Sequence, residues 1–197
     1  MKTLLTILLL TIPLAALAQP DPSPDVMGVY FDIGGNQTEI HVPASVPFNA
    51  YVVLRNPTQA EITGYEFGYD HWVPPGNEGM VFLLAADLLC DPITIDPPTS
   101  PLVGSYGCEP SQPVPATPAV VLLTWQYMLL GVMPMHFNLT PADTPTVPGD
   151  LPGYWGPSGI TPTEYAETCF GTGARVNEFC PVAVEPQSWG SLKGLFR

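Results

Sequence analysis

The chain has 197 residues, of which 18 are acidic and 5 basic, for a formal net charge of −13 at pH 7. A body this acidic repels phosphate backbones and anionic membrane surfaces, which rules against nucleic acid as a partner. With 26 prolines and 18 glycines the chain is hostile to helix, yet at 46% hydrophobic it is too apolar for disorder. An all-β body with long Pro/Gly-rich loops satisfies both constraints.

Lys2, the apolar run Leu4–Leu17 and the small-x-small site Ala16-Leu17-Ala18 predict a secretory signal peptide over residues 1–18. The run is too short and wrongly flanked for a membrane span. Ala119–Met133 is also uncharged and apolar, but it is only 15 residues long, and Gly131 and Pro134 break it. It reads as a buried strand pair, so no membrane span is expected. The expected organisation is a signal peptide (1–18), a β-sandwich domain (19–180) and a linker with a C-terminal tail (181–197). The expected location is secreted, extracellular or at the cell surface.

Gln19–Asp25, QPDPSPD, is a proline-punctuated extended leader. Val26–Ile33 is the first predicted strand, Gly34-Gly35-Asn36 a turn and Thr38–Val42 a second strand. The organising stretch is Val46–Asp70, read as strand, turn, strand. Tyr51–Leu54 is its first strand, Asn56-Pro57-Thr58-Gln59 supplies turn chemistry, and Ile62, Gly64, Glu66 and Gly68 then alternate with Thr63, Tyr65, Phe67 and Tyr69. One face of the second strand is therefore aromatic, as a half-buried pleated surface requires.

Val73–Gly79 is a loop. Met80–Leu89 is apolar except for Asp87, with a period that fits either a strand or a short helix. Cys90–Pro118 is a long proline-rich excursion. Val120–Leu130 is the strongest strand, and Val132–Leu139 is expected to return beside it. Thr140–Thr163 reads as loop and holds Tyr154-Trp155. A last strand is expected around Ala174–Asn177. Short strands between turn signals, with no interior helix, predict a single antiparallel β-sandwich of immunoglobulin-like or jelly-roll-like type.

The cysteines are Cys90, Cys108, Cys169 and Cys180. An even count in an exported chain reads as disulfides, and the absence of a C-x-x-C pair weighs against zinc. Three connectivities are open. Nearest-neighbour pairing is favoured because it staples two loops otherwise poor in regular structure, each worth roughly 3 kcal/mol in the chain-entropy model.

His41, His71 and His136 have no ligand-like spacing, and H-E-x-x-H is absent, so they read as surface or loop histidines. Gly156-Pro157-Ser158-Gly159 falls one residue short of a nucleophile elbow. Glu164 and Glu167 flank Tyr165, a carboxylate pair of a kind that any acidic protein offers by chance. No catalytic residue, cofactor or resident metal is expected, and the chain does not read as an enzyme. Asp87, Asp91 and Asp96 form an oxygen cluster near Cys90 that would suit calcium, although not with EF-hand spacing. His71-Trp72 and Tyr154-Trp155 are loop aromatics that would either plug the sandwich or stack on sugars. Asn36-Gln37-Thr38 and Asn138-Leu139-Thr140 match the N-glycosylation pattern at Asn36 and Asn138.

The tail is the least ordinary segment. A helix capped by Ser188 would bring Trp189, Leu192, Leu195 and Phe196 near one face. Pro181-Val-Ala-Val-Glu followed by Ser188-Trp189-Gly190, Lys193 and Leu195-Phe196-Arg197 resembles a C-terminal SWGxxKxLFR-like tail of exported bacterial β-rich proteins. MGVYFD (27–32), AYVVLRNP (50–57), ITGYEF (62–67) and ARVNEFC (174–180) resemble the same group. Phe196 stands where that tail would have tyrosine. The resemblance implies export and a β-sandwich, and it brings no activity or site residue.

The function expected from these features is a secreted, non-catalytic structural or cell-surface protein. The leading strand would either pair within its own subunit, the favoured reading, or be donated to a neighbour and so assemble an oligomer or fibre. The alternative is an extracellular carbohydrate- or calcium-binding module. Candidate partners are thus a second copy of the chain and a glycan. Non-reducing peptide mapping is expected to recover Cys90–Cys108 and Cys169–Cys180 peptides; a crossed pairing, or alkylation of the native protein, would contradict this framework.

Overall fold

The structure, a computed structural model, describes residues 23–89, 100–168 and 171–179. The signal peptide, Cys90, Asp91, Asp96, Cys169, Cys180 and the tail motif of Trp189, Gly190, Lys193, Leu195, Phe196 and Arg197 lie outside these residues. The described chain is all-β, and the leading segment runs through β1 (Val26–Tyr30), β2 (Glu39–Ile40), β3 (Phe48–Arg55), β4 (Glu61–Ile62) and β5 (Gly64–Asp70). A single 3-10 turn at Glu78–Met80 leads into β6 (Val81–Leu88), then β7 (Val103–Cys108), β8 (Val114–Pro115) and β9 (Ala119–Leu129). β10 (Met135–Phe137), β11 (Leu139–Thr140), β12 (Gly153–Gly156) and β13 (Gly159–Pro162) follow. The last strands are β14 (Glu164–Tyr165), β15 (Glu167–Thr168), β16 (Gly171–Thr172) and β17 (Ala174–Val176).

One sheet has the order β14-β1-β3-β9-β6. It is antiparallel apart from the parallel pair β1–β14. The facing sheet is built on β5. Its one edge pairs with β7, and its other edge is shared by β12 at Gly64–Glu66 and by β11 at Gly68–Tyr69. β12 and β13 form a hairpin, and β10-β17-β2 extends this layer. An isolated bridge between Trp72 and His136 joins the extension to the end of β5.

The two strands of the organising stretch form as predicted, but they do not pair with each other. β3 lies between β1 and β9 in the first sheet, and β5 lies in the second. The segment from Asn56 to Thr63 is therefore an arch across the sandwich, not a hairpin turn. Asn56 sits in the left-handed region (φ 47°), and its side-chain amide donates to the Ser23 carbonyl at 3.0 Å. Thr58 N–H and Oγ1 both donate to the Asp25 carboxylate, each at 2.8 Å. The turn chemistry read from the sequence is real, but it serves a change of sheet.

Other predicted pairings also change. β10 pairs with β17 instead of returning beside β9. The proline-rich excursion contains β7, which pairs with β5 from Tyr65 to Asp70, and the stretch read as loop around Tyr154 is the β12–β13 hairpin. Met80–Leu89 resolves as strand, and its ambiguous period has a cause. The register shifts between Leu83 and Ala85, so Leu84 is a bulge, and the core-facing positions change from Val81 and Leu83 to Leu88.

The core is an aromatic layer between β5 and β9. Tyr65, Phe67, Tyr69, Trp125, Tyr127, Phe137 and Tyr154 are all essentially excluded from solvent. β9 has its own bulge at Leu122, which lets both Leu122 and Leu123 face inward. The Leu122 carbonyl accepts from the Tyr65 hydroxyl at 2.7 Å and from Leu89 N–H at 3.0 Å.

The outer face of β5 is covered as well. Gly64, Glu66 and Gly68, expected on a half-exposed face, are buried. A Cβ on Gly68 would meet the Pro141 carbonyl oxygen at 2.2 Å, so only glycine lets the chain cross there. The Glu66 carboxylate accepts from Thr146 N–H (2.7 Å), Thr146 Oγ1 (2.8 Å) and Val147 N–H (2.8 Å). Removing it strands these donors beneath the covering segment. Glu66→Ala is therefore expected to lower unfolding free energy by on the order of 3 kcal/mol in chemical denaturation, and Glu66→Gln by clearly less. Wild-type stability in Glu66→Ala would refute this role.

Candidate functional site

The structure scatters most of the residues singled out by motif. His41 is exposed. Ser158 is exposed in the tip of the β12–β13 hairpin, where its N–H donates to Gln59 Oε1 at 3.1 Å. Glu164 and Glu167 are exposed and line an open cleft of about 490 Å³ with Ser23, Leu151, Tyr165 and Thr172. Asp87 is exposed on β6. Among the described residues, no group of three His, Cys, Asp or Glu side chains is placed to hold a metal. No described helix is long and apolar enough to cross a membrane.

Cys108, at the end of β7, is disulfide-bonded, and no described cysteine is free. Asn36 is exposed, held in a loop organised by Asp32. Asp32 accepts from the backbone N–H groups of Gly34 (3.2 Å), Asn36 (2.8 Å) and Gln37 (2.6 Å) and from Asn36 Nδ2 (3.2 Å). Burial alone would raise the Asp32 pKa, but these hydrogen bonds outweigh it and hold the carboxyl below the usual range. Asn138 is half-buried and donates from Nδ2 to the Asp70 carbonyl at 3.1 Å.

His71 is corrected from a surface or loop residue to a core residue at 3% exposure. Its ring lies among Tyr69 (4.7 Å between centroids), Trp125 (5.1 Å), Tyr127 (6.0 Å) and Phe137 (4.6 Å). Neither ring nitrogen has a hydrogen-bond partner. Burial disfavours the imidazolium, and although the nearby Asn138 backbone opposes the shift, the pKa falls to about 3. Tyr154 is likewise core and not loop. Its hydroxyl donates to Asp25 Oδ1 at 2.5 Å and accepts from Thr58 N–H and Gln59 N–H at 3.0 and 3.2 Å.

Two surface features remain. The first is the β6 edge. β6 closes the first sheet on one side, has eight residues and is exposed along most of its length. Phe82 (41%), Leu84 (46%) and Leu89 (37%) are exposed there, with Leu130 (45%) and Val132 (61%) just beyond β9. The sequence shows this strand as apolar, but only the topology shows it to be an edge. The second feature is Trp72, 43% exposed, whose ring leans on His136 at 4.5 Å between centroids and 34° between planes. His136 Nε2 in turn lies 2.5 Å from Glu178 Oε2.

No family model matches the chain, and no curated protein matches it. Solved structures do. The sixth cohesin of Acetivibrio cellulolyticus scaffoldin B, determined in complex with a mutant Cel5 dockerin, superposes with a TM-score of 0.53 at 9% identity, covering 80% of this chain and 100% of that one. A cohesin module of a Clostridium perfringens family 33 glycoside hydrolase gives a TM-score of 0.48 at 11% identity, over 79% of this chain and 99% of that one. A type II cohesin domain from the Acetivibrio cellulolyticus cellulosome gives 0.47 at 11%, over 79% and 96%. At such identities the likeness is one of fold alone: this chain shares a β-sandwich architecture with the first of them.

His71 yields a pH prediction with a definite sign. Its folded pKa is depressed, so below about pH 6.5 the unfolded chain binds a proton that the folded chain refuses. Stability from this group is complete above that pH and is lost progressively towards pH 3, with a slope approaching about 1.4 kcal/mol per pH unit. Asp32 acts only in the carboxylate range below this. Thermal melts are expected to show a fall in Tm between pH 6.5 and 4 that His71→Phe flattens. An unchanged slope in the variant would show that other groups carry the acid sensitivity.

Proposed function

We propose that this chain is a secreted, non-catalytic structural or cell-surface module that associates with a second copy of itself through its β6 edge. The single observation that carries this reading is the eight-residue apolar edge strand with Phe82 and Leu84 exposed. Such an edge offers a row of unpaired backbone donors and acceptors. Natural edges are blunted by lysine, proline or inward charge. Within its own eight residues β6 has no lysine or proline, and what guards it there is the Leu84 bulge and Asp87.

The strand is self-complementary. Antiparallel pairing brings opposite ends together, so the two Asp87 side chains, each near one end, stay apart. Such a contact is isologous and closes as a dimer. Growth into a fibre would require a further contact. The leading strand, the other candidate for donation, pairs in its own subunit, where β1 lies buried between β14 and β3. The tail around Trp189 and Lys193 fits this reading as an export, anchoring or docking signal. A second reading follows from the fold: the cohesin of TM-score 0.53 was solved bound to a dockerin, and the exposed sheet would equally take a partner of different sequence.

With a net charge of −13, two copies repel one another, and salt screens that repulsion. Sedimentation of the mature protein is expected to show a concentration-dependent dimer that tightens as salt rises. Leu84→Lys should abolish it while shifting stability by no more than about 0.5 kcal/mol. A monomer at every concentration and salt would overturn self-association and leave the heterologous reading standing.

A further inference from the structure

We infer that Trp72, His136 and Glu178 form a stacking platform for a neutral pyranose oligosaccharide, a site separate from the β6 edge. A single exposed aromatic is ordinary on a protein surface. What sets this one apart is how firmly it is held. His71 and Val73 on either side are buried at 3% and 5%, so the backbone cannot turn the indole inward. Trp72 N–H donates to the His136 carbonyl at 2.9 Å, and His136 N–H returns the bond to the Trp72 carbonyl at 2.8 Å. The His136 ring supports the indole from beneath, and Glu178 fixes His136 by the 2.5 Å contact at Nε2. The indole thus stands immobilised while 43% exposed, so little side-chain entropy is left to lose on binding.

The chemistry around the ring selects the ligand class. Directly opposite residues in a sheet share a face. His136 lies opposite Trp72, Arg175 opposite His136 and Glu39 opposite Arg175. The row Trp72–His136–Arg175–Glu39 therefore crosses the layer on its outer side, spanning about 14 Å at ordinary strand spacing. Trp72 offers an apolar face, and the half-buried His136 and Glu39 offer polar groups, while Arg175 between them is buried. Glu178 is 40% exposed, and its carboxylate can accept hydroxyls beside the indole. A pyranose has the matching form: an apolar C–H face for the indole and a rim of hydroxyls for the carboxylate and imidazole. A protein hot spot would sit in a wider, drier apolar surround than this polar row supplies. The net charge of −13 disfavours acidic sugars, which leaves the neutral ones.

The test is titration calorimetry of the full mature chain against cellohexaose, xylohexaose, mannohexaose and chitohexaose. At least one is expected to bind. Trp72→Ala should weaken that binding by at least about tenfold with an unchanged melting temperature, and Trp72→Tyr should retain part of it. Glu178→Ala keeps the indole and should weaken binding by a smaller factor, which tests the polar half of the site even if Trp72→Ala proves unstable. Silence across all four oligosaccharides overturns the proposal, as does binding that neither substitution disturbs. Because the site lies off β6, Leu84→Lys should leave sugar binding intact whatever it does to self-association.

Discussion

The constraint on which the sandwich depends is that its interior is aromatic and carries polar handles. Tyr65, Tyr69, Tyr127, Tyr106 and Trp125 all bury a donor with their rings. A buried hydroxyl without a partner would cost much of what the ring contributes. Four of these handles donate to an acceptor, and the fifth, the Tyr106 hydroxyl, accepts from one of them. Tyr65 reaches the Leu122 carbonyl at 2.7 Å, Tyr69 the Ser100 carbonyl at 3.0 Å, Tyr127 the Pro101 carbonyl at 2.8 Å, and Trp125 Nε1 the Tyr106 hydroxyl at 3.3 Å. The β9 bulge and the segment at Ser100–Pro101 therefore complete the core. The bulge turns two successive leucines inward and brings the Leu122 carbonyl within reach of Tyr65 across the sandwich.

This dependence explains what the sequence could and could not reveal. The all-β class, the strands around Val52 and Trp125 and the arch chemistry at Asn56 were legible, because they rest on local alternation and turn residues. Pairing was not. The same Asn-Pro turn suits a hairpin or a change of sheet, and only contacts distant in sequence, such as Thr58 to Asp25 and Tyr154, decide between them. β7 was hidden because VGSYGC has two glycines in a proline-rich setting and becomes strand only by pairing along β5. β6 was ambiguous because its bulge breaks the period of two.

His71 was missed although a signal was present. The core positions of β5 are Tyr65, Phe67 and Tyr69, and extending that period gives His71 and then Val73, both buried. The hydrophilic rank of histidine masked the alternation. The same step of two that puts His71 inside puts Trp72 outside, and the Asn36 and Asn138 sequons show the limit of motif matching. The pattern is identical at both sites, but Asn36 is exposed in its loop, whereas Asn138 is half-buried and tied to Asp70.

The two edges of the first sheet are not equivalent. At one edge lies β14, two residues long and paired in parallel with β1, with Thr163 Oγ1 tied to the Pro152 carbonyl beside it. Ala166 then packs with Val26, Tyr30 and Val53 as a small outer cluster. That edge is only two residues long. At the other lies β6, eight residues long and exposed along most of its length. The Asp25 and Tyr154 contacts that close the arch, and the Glu66 contacts that close the second sheet, all act away from β6. Among the described residues none of these contacts covers the β6 edge, so a chain pairing there would leave them intact.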